Sequence, residues 1–302
     1  MKIRIATRES QLALWQANFI KSRLEEVHAG LEIELVGMTT KGDRWLSAPL
    51  SEIGGKGLFI KELEAAMLAG EADLAVHSMK DVPADLPARF TLPLIAFRDD
   101  VADVLVSPAG PLDRLPQGAR VGSSSLRRQA QLLAHRPDLE MMPIRGNVNT
   151  RLAKLDAGEF DAIVLAAAGL NRLKFGRKDV HALDQDICLP APGQGALGIE
   201  CLEDSPAIEL LTPLMDAQCA KCVTAERGIS LGLGADCSLP VAAHATIGTD
   251  GTILLRARLA SASGDRILRT EGQGTDPDAV ARDAVEDLMH QGAAEILREL
   301  HG

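Results

Sequence analysis

At 302 residues, 46% hydrophobic and 25% charged, the chain has the composition of an ordinary globular protein, long enough for two or three cores. Basic residues number 32 and acidic ones 42, a net charge of −10, and aromatics make up 3% with no Tyr, so neither an electrostatic grip on nucleic acid nor a base-stacking platform is expected. Five unevenly spaced cysteines argue against a disulfide framework and for a reducing cytoplasm, and with no apolar run of transmembrane length and no secretory leader read, no membrane partner is expected.

In chain order, Ile3 to Thr7 reads as a strand ending at Arg8, and Ser10 as the N-cap of a helix with Leu12, Trp15, Phe19, Ile20, Leu24 and Val27 at helical spacing. Leu31 to Met38 alternates like a strand. Thr39 to Gly57 is long, polar and Gly-bearing, a lid rather than a connection, and helix resumes over Leu58 to Leu68. A short apolar run, Leu74 to Val76, reads as a buried strand that breaks into His77-Ser-Met-Lys80-Asp81-Val-Pro83, where Pro prevents simple continuation. Ligands of open α/β sheets sit beyond the carboxyl ends of the strands, which places Lys80 and Asp81 well for chemistry; the plainer alternative is an exposed ion pair on a turn.

An internal echo follows. Lys61 to Val76 runs helix, Gly-Glu-x-Asp, strand, and Asn149 to Val164 repeats that order, with Gly as the helix stop in each. Two α/β lobes of similar build, with a cleft between them, are the simplest account. The second lobe begins near Arg98, with a strand over Ala119–Gly122, a Ser123–Ser125 run opening the helix Leu126–His135, a strand over Leu139–Ile144, and another from Ile163 to Ala167. Leu189-Pro-Ala-Pro-Gly-Gln-Gly195 reads as a crossover, and Ala196–Cys201 as a strand able to rejoin the first lobe. Helix is expected over Ala207–Met215, and a third region starts near Ala217, with a helix to about Leu231, strands near 241–247, 252–260 and 266–272, and helices from Asp276. The domains expected are therefore residues 1–97 with 196–216, residues 98–195, and residues 217–302.

Arg8, Arg127, Arg128, Arg145, Arg151 and Arg172 fall just after expected strands or in a helix's first turn, where free N–H groups already attract anions and a guanidinium adds bidentate recognition of carboxylate or phosphate. Singly, each could as well pair with a surface carboxylate. Gly193-Gln-Gly-Ala-Leu-Gly198 matches a dinucleotide fingerprint by letter, but it follows a Pro-rich loop and precedes a strand; Gly54-Gly-Lys-Gly lacks the Ser or Thr of a P-loop. Cys219-x-x-Cys222 has no second ligand pair, so no metal is expected, and Cys188 and Cys201 read as buried thiols. Cys237, in a Gly- and Pro-bounded loop, could be either an accessible nucleophile or a packed residue.

Taken together, Arg4-Ile-Ala-Thr-Arg8, Gly54-Gly-Lys-Gly-Leu-Phe59, Ala75-Val-His-Ser-Met-Lys-Asp-Val-Pro83, Val121-Gly-Ser-Ser-Ser-Leu-Arg-Arg128, Arg145-Gly-Asn-Val, Leu189-Pro-Ala-Pro-Gly-Gln-Gly195, Thr224-Ala-Glu-Arg227 and Cys237-x-x-Pro240 resemble the hydroxymethylbilane synthase, or porphobilinogen deaminase, family over the full length. The resemblance implies an α/β fold of three domains: two lobes like those of type II periplasmic binding proteins, and a small third domain with a three-stranded antiparallel sheet. It implies a monomeric cytoplasmic transferase that joins four porphobilinogens head to tail, releasing ammonia, on a dipyrromethane held as a thioether by Cys237. Asp81 would be catalytic. Arg8, Ser10, Lys80, Ser123, Ser125, Arg127, Arg128, Arg145, Gly146, Arg151, Arg172 and Gln194 would bind cofactor and substrate, and Lys56 and Phe59 would belong to the lid. The chain departs from the family pattern at Ala235-Asp236, usually Gly-Gly, at Ser123, usually Thr, and at Glu52, often Lys. Two rivals suit the lobes alone. A small-anion binding protein gives Asp81 and Cys237 no task, and a phosphoribosyltransferase needs a Mg²⁺-diphosphate site that is not evident.

Overall fold

The computed structural model describes residues 2–40, 57, 60–235 and 239–301. The chain starts through β1 (Lys2–Arg8), α1 (Gln11–Val27), β2 (Glu32–Met38), α2 (Lys61–Leu68), β3 (Leu74–Ser78) and β4 (Phe90–Ala96). It continues through β5 (Asp103–Val106), β6 (Arg120–Gly122), α3 (Leu126–His135), β7 (Glu140–Met142), α4 (Val148–Asp156), β8 (Ala162–Ala166), α5 (Ala167–Arg172) and β9 (Val180–Ala182). Then come β10 (Leu197–Leu202), α6 (Ala207–Leu211), α7 (Ala217–Gly232), β11 (Val241–Ile247), β12 (Ile253–Ala260), β13 (Ile267–Gly274), α8 (Pro277–His290) and α9 (Ala293–His301).

Two five-stranded mixed sheets share one plan. Their orders are β2-β1-β3-β10-β4 and β7-β6-β8-β5-β9; in each the first three strands are parallel and the fourth runs antiparallel to both neighbours. The fourth strand of the first sheet, β10, arrives after the second sheet is complete, so the chain crosses between the sheets twice. A third, antiparallel sheet, β11-β12-β13, packs on α7 and α8 around its own core, which includes Ile229, Leu255, Leu259 and Leu288. The fold is thus α/β with a small antiparallel third unit. Among the described residues no helix is long and apolar enough to cross a membrane.

The repeated Gly-Glu-x-Asp has one physical meaning in both places. After α2, Gly70 takes φ +68, its N–H donates to Met67 O (3.1 Å) and Glu71 N–H to Ala66 O (2.8 Å); after α4, Gly158 takes φ +77 and the bonds are Gly158 N to Leu155 O (2.9 Å) and Glu159 N to Lys154 O (3.1 Å). These paired bonds satisfy the last helical carbonyls and reverse the chain. The Asp then fixes the next strand: Asp73 Oδ2 accepts from Arg4 N (2.7 Å) and its carboxylate grips the Arg4 guanidinium, while Asp161 Oδ2 accepts from Arg120 N (2.8 Å) and grips Arg120.

The sequence pattern does not mark β4. Pro93 lowers its strand character, and the structure tolerates it because β4 is the sheet's edge. The expected helix at 58 begins at Lys61, and the Thr39–Gly57 lid lies almost wholly outside the described residues.

Candidate active site

Every residue of β3 but Ser78 is buried, and the strand lies between β1 and β10. It ends in one 3₁₀ turn, Met79–Asp81. Met79 drives this turn: its N–H donates to Ala196 O (3.0 Å), and its side chain fills space left by two glycines. A Cβ on Gly193 would lie 2.9 Å from Met79 Cβ, and one on Gly198 would run into Met79 Sδ. Those glycines are therefore packing devices beneath a turn, and the strand that follows them is β10, not a dinucleotide-binding helix. With Met79 wedged inward, Lys80 and Asp81 turn out beyond the strand end. Asp81 is exposed and shares a cavity of about 60 Å³ with Arg8, Ser10, Gln16, His77 and Ser78. Ser10 also caps α1 by accepting from Ala13 N (3.3 Å). Behind the cavity His77 Nε2 lies 2.9 Å from Glu200 Oε2, both buried.

Across from this turn stands a basic cluster built on a residue that sequence reasoning missed. Asp103, fully buried at the start of β5, meets Arg127 Nη1 at 2.6 Å, Arg128 Nη2 at 2.6 Å and Nε at 3.0 Å, and Gln194 Nε2 at 3.0 Å. Burial opposes its ionisation, but the two guanidiniums outweigh burial and hold the carboxyl well below the usual carboxylate range. Arg127 also donates to Leu189 O (2.6 Å) and Arg128 to Val164 O (3.0 Å). The only sequence signal for Asp103 is a carboxylate heading a short apolar run.

The other cations gather with less compensation. Burial pushes the half-buried Lys80 ammonium down to about 8; Arg128 acts the same way, and Asp81 opposes. Burial, then Arg128, lowers Arg151 to about 10, again opposed by Asp81 and reinforced by Arg145. Arg145 is lowered by burial, and its Nη2 is buried without a hydrogen-bond partner among the described residues. Lys80, Arg127, Arg128, Arg145 and Arg151 are five cations facing two carboxylates, Asp81 and Asp103: three positive charges in excess. Gly146, at φ +108, makes the turn that lets its carbonyl accept from Arg151 Nε (2.8 Å); a Cβ there would lie 2.7 Å from Thr150 Cγ2.

The remaining expected residues have distinct placements. Ser123 is buried, its Oγ accepting from Ser125 N (3.2 Å), and Ser125 is the N-cap residue of α3. Arg172 braces the crossover, donating to Gly195 O (2.5 Å) and Phe97 O (3.3 Å) with its guanidinium 5.7 Å from the Trp15 ring centre. Gln194 is fully buried, donating also to Val101 O (2.7 Å). Cys237, Lys56 and Phe59 lie outside the described residues, as do Glu52 and Asp236. Cys188 and Cys201 are buried, and burial pushes their thiols up to about 12 and about 11.

An excess of positive charge at the strand ends, with one exposed carboxylate among the cations, suits a small polyanion. A dipyrromethane, bearing several carboxylates, fits this donor set, and the orphaned Arg145 Nη2 is the kind of atom such a ligand would satisfy. Fold and site together define an α/β protein suited to small carboxylated molecules. The family follows from comparison: residues 3–209 match the porphobilinogen deaminase, dipyromethane cofactor binding domain, and residues 220–290 the porphobilinogen deaminase, C-terminal domain, so the chain belongs to the porphobilinogen deaminase family. Its activity is that of a hydroxymethylbilane synthase, a transferase of tetrapyrrole biosynthesis that polymerises porphobilinogen with a dipyrromethane cofactor.

Among solved structures, the chain is similar to the periplasmic aliphatic sulphonate binding protein SsuA of Escherichia coli (15% identity, TM-score 0.41, covering 76% of this chain and 70% of that one). It is also similar to a double mutant of the Bordetella pertussis BvgS VFT2 domain (18% identity, TM-score 0.42, covering 70% and 84%).

Proposed function

We propose that the enzyme adds four porphobilinogens head to tail, one ammonia leaving at each addition, to a primer anchored through Cys237. In this reading residues 1–97 with 196–216 and residues 98–195 are the lobes that form the cleft, and residues 217–302 carry the anchor. The bound dipyrromethane supplies a nucleophilic pyrrole end for the first addition.

The chain's own residues do three things. Lys80, Arg128, Arg145 and Arg151 hold acetate and propionate groups, with Arg8, Ser10, Ser125 and Arg172 bordering the path. Each charge-assisted hydrogen bond contributes about 1.5–3 kcal/mol, enough in number to retain a lengthening polyanion. Asp103 fixes Arg127 and Arg128 in place before any ligand arrives, so their reorganisation cost is small. Asp81 acts on charge: loss of ammonia from porphobilinogen leaves an azafulvene with positive charge spread over the ring, and a carboxylate beside the ring N–H stabilises it and steers its proton. The soft carbon electrophile also suits a single addition by the Cys237 thiolate, giving a thioether that anchors rather than turns over.

The observation that carries this reading is the exposed Asp81 carboxylate set within electrostatic reach of Lys80 and Arg151 at the mouth of an over-charged basic cluster. Asp81→Asn should slow the addition of one porphobilinogen to primed enzyme about 10²–10³-fold, with ligand retention nearly intact. A variant that adds porphobilinogen at the normal rate would remove Asp81 from the mechanism.

A further inference from the structure

Thr224-Ala-Glu226-Arg227 has no place in the chemistry above, yet Arg227 reaches the segment directly after the active-site turn and Glu226 the crossover beside it. Helix α7 has two buried faces. Cys222, Ala225 and Ile229 belong to the core of the third unit. Cys219 and Val223 pack instead with Met79, Val82 and Ala196, the residues under the catalytic turn. One helical step further along that second face, at the same i, i+4, i+8 spacing, stands Arg227. Its Nη1 donates to Val82 O (3.0 Å), and its Nη2 to Pro83 O (2.7 Å) and Ala84 O (3.2 Å). Those are the three carbonyls directly after Asp81, and among the described residues they accept from nothing else.

The neighbouring Glu226, fully buried, secures the helix in that position. It pairs with Arg98 at 2.8 Å and accepts from Gly193 N (2.7 Å) and Ala245 N (2.7 Å), so it ties the crossover and the third sheet to the same turn of α7. Asp81 itself receives no hydrogen bond on its carboxylate among the described residues. The backbone that carries it is held on both sides, by the Met79 wedge before it and by the Arg227 fork after it.

We propose that Arg227 is a positioning residue for Asp81, through which the domain expected to carry the primer fixes the geometry of the catalytic turn. The proposal rests on the role given to Asp81 above. A planar guanidinium spanning three successive carbonyls is matched poorly by an ammonium, and less well still by a shorter, uncharged amide with two donors. Small displacements of a reacting group cost large factors in rate, whereas three of the four anion-binding cations, Arg128, Arg145 and Arg151, lie outside the Met79–Asp81 turn and keep their places.

The test is a double-mutant cycle on primed enzyme, with rates normalised to primer content by intact mass: wild type, Arg227→Gln, Asp81→Asn and the double variant. Arg227→Gln should lower kcat about 10- to 100-fold, with KM for porphobilinogen changing by a much smaller factor, and Arg227→Lys should recover part of the loss. The double variant should be no slower than Asp81→Asn. If Arg227→Gln slows the Asp81→Asn enzyme by the same factor as it slows the wild type, Arg227 does not act through Asp81, and the proposal is overturned while the role of Asp81 stands. A normal rate in Asp81→Asn overturns that role itself. Should Arg227→Gln fail to fold, Arg227→Lys decides: unchanged kcat, or KM rising in step with any loss, contradicts positioning.

Discussion

Lys80 is the residue whose charge the site controls most finely. Its ordinary value of 10.5 falls to about 8, chiefly because burial penalises the ammonium and Arg128 repels it. A proton is then bound by the unfolded chain but not by the folded one between about pH 8 and 10.5, so this group's contribution to stability rises with pH across that window and its destabilising effect is complete below it. Ligand binding runs the other way, since the protonated form is the one that attracts carboxylates. KM for porphobilinogen should therefore climb between pH 7 and 9, and Lys80→Arg, charged throughout, should flatten the climb; the same slope in both enzymes would show that Lys80 is not the titrating group. Lys80 was visible in the sequence as a cation just past a buried strand. The cause of its shift was not, because Arg128 comes from helix α3, far along the chain. The pairing of Arg127 and Arg128 was likewise hidden: their partner Asp103 lies 24 and 25 residues upstream on a four-residue strand whose antiparallel placement no local pattern announces.

At the scale of elements, the two helix stops are the most legible feature and also the most testable. Gly70 and Gly158 both adopt left-handed φ with open space where a Cβ would go, so Ala at either should cost only the backbone term, about 1–2 kcal/mol. Thermal or denaturant midpoints should fall by similar amounts in the two variants and leave kcat per primed enzyme unchanged; a loss at one site alone would mean that the repeat is only a similarity of letters. The sequence showed the repeat because both its signals are local: a glycine past the last helical turn and a carboxylate three residues on. It did not show what the carboxylate holds, since Arg4 and Arg120 are long-range partners. α7 illustrates the same division. Its extent could be read from spacing, and Cys219-x-x-Cys222 explained without metal as helical spacing, but its two faces serving two different cores became apparent only once Met79 and Val82 were seen against Cys219 and Val223.

At the scale of the molecule, the chain leaves the first sheet before it is finished and returns with β10, so Arg98, Gln194 and Gly195 meet where the two passages lie side by side: Gln194 O accepts from Arg98 Nε (3.2 Å) and Asp99 N donates to Gly195 O (3.0 Å). The Pro- and Gly-rich string at 189–195 identified the return passage; the buried bonds of Gln194 to Asp103 and of Glu226 to Arg98 could not be foreseen, because their partners stand 91 and 128 residues apart in the chain. These links place the basic cluster, the Asp81 turn and α7 in one connected frame, and it is α7 that leads on to Cys237. The central claim is that this frame builds a pyrrole chain on a primer attached at Cys237. It is tested most directly by the intact mass of the purified protein beside Cys237→Ser, each before and after brief exposure to porphobilinogen. The wild type should carry an increment of two porphobilinogens less two ammonias and then gain further units of one porphobilinogen less one ammonia, while the variant carries and gains nothing. An unmodified wild type that stays unmodified when porphobilinogen is supplied, or the same increments in the variant, would contradict the account.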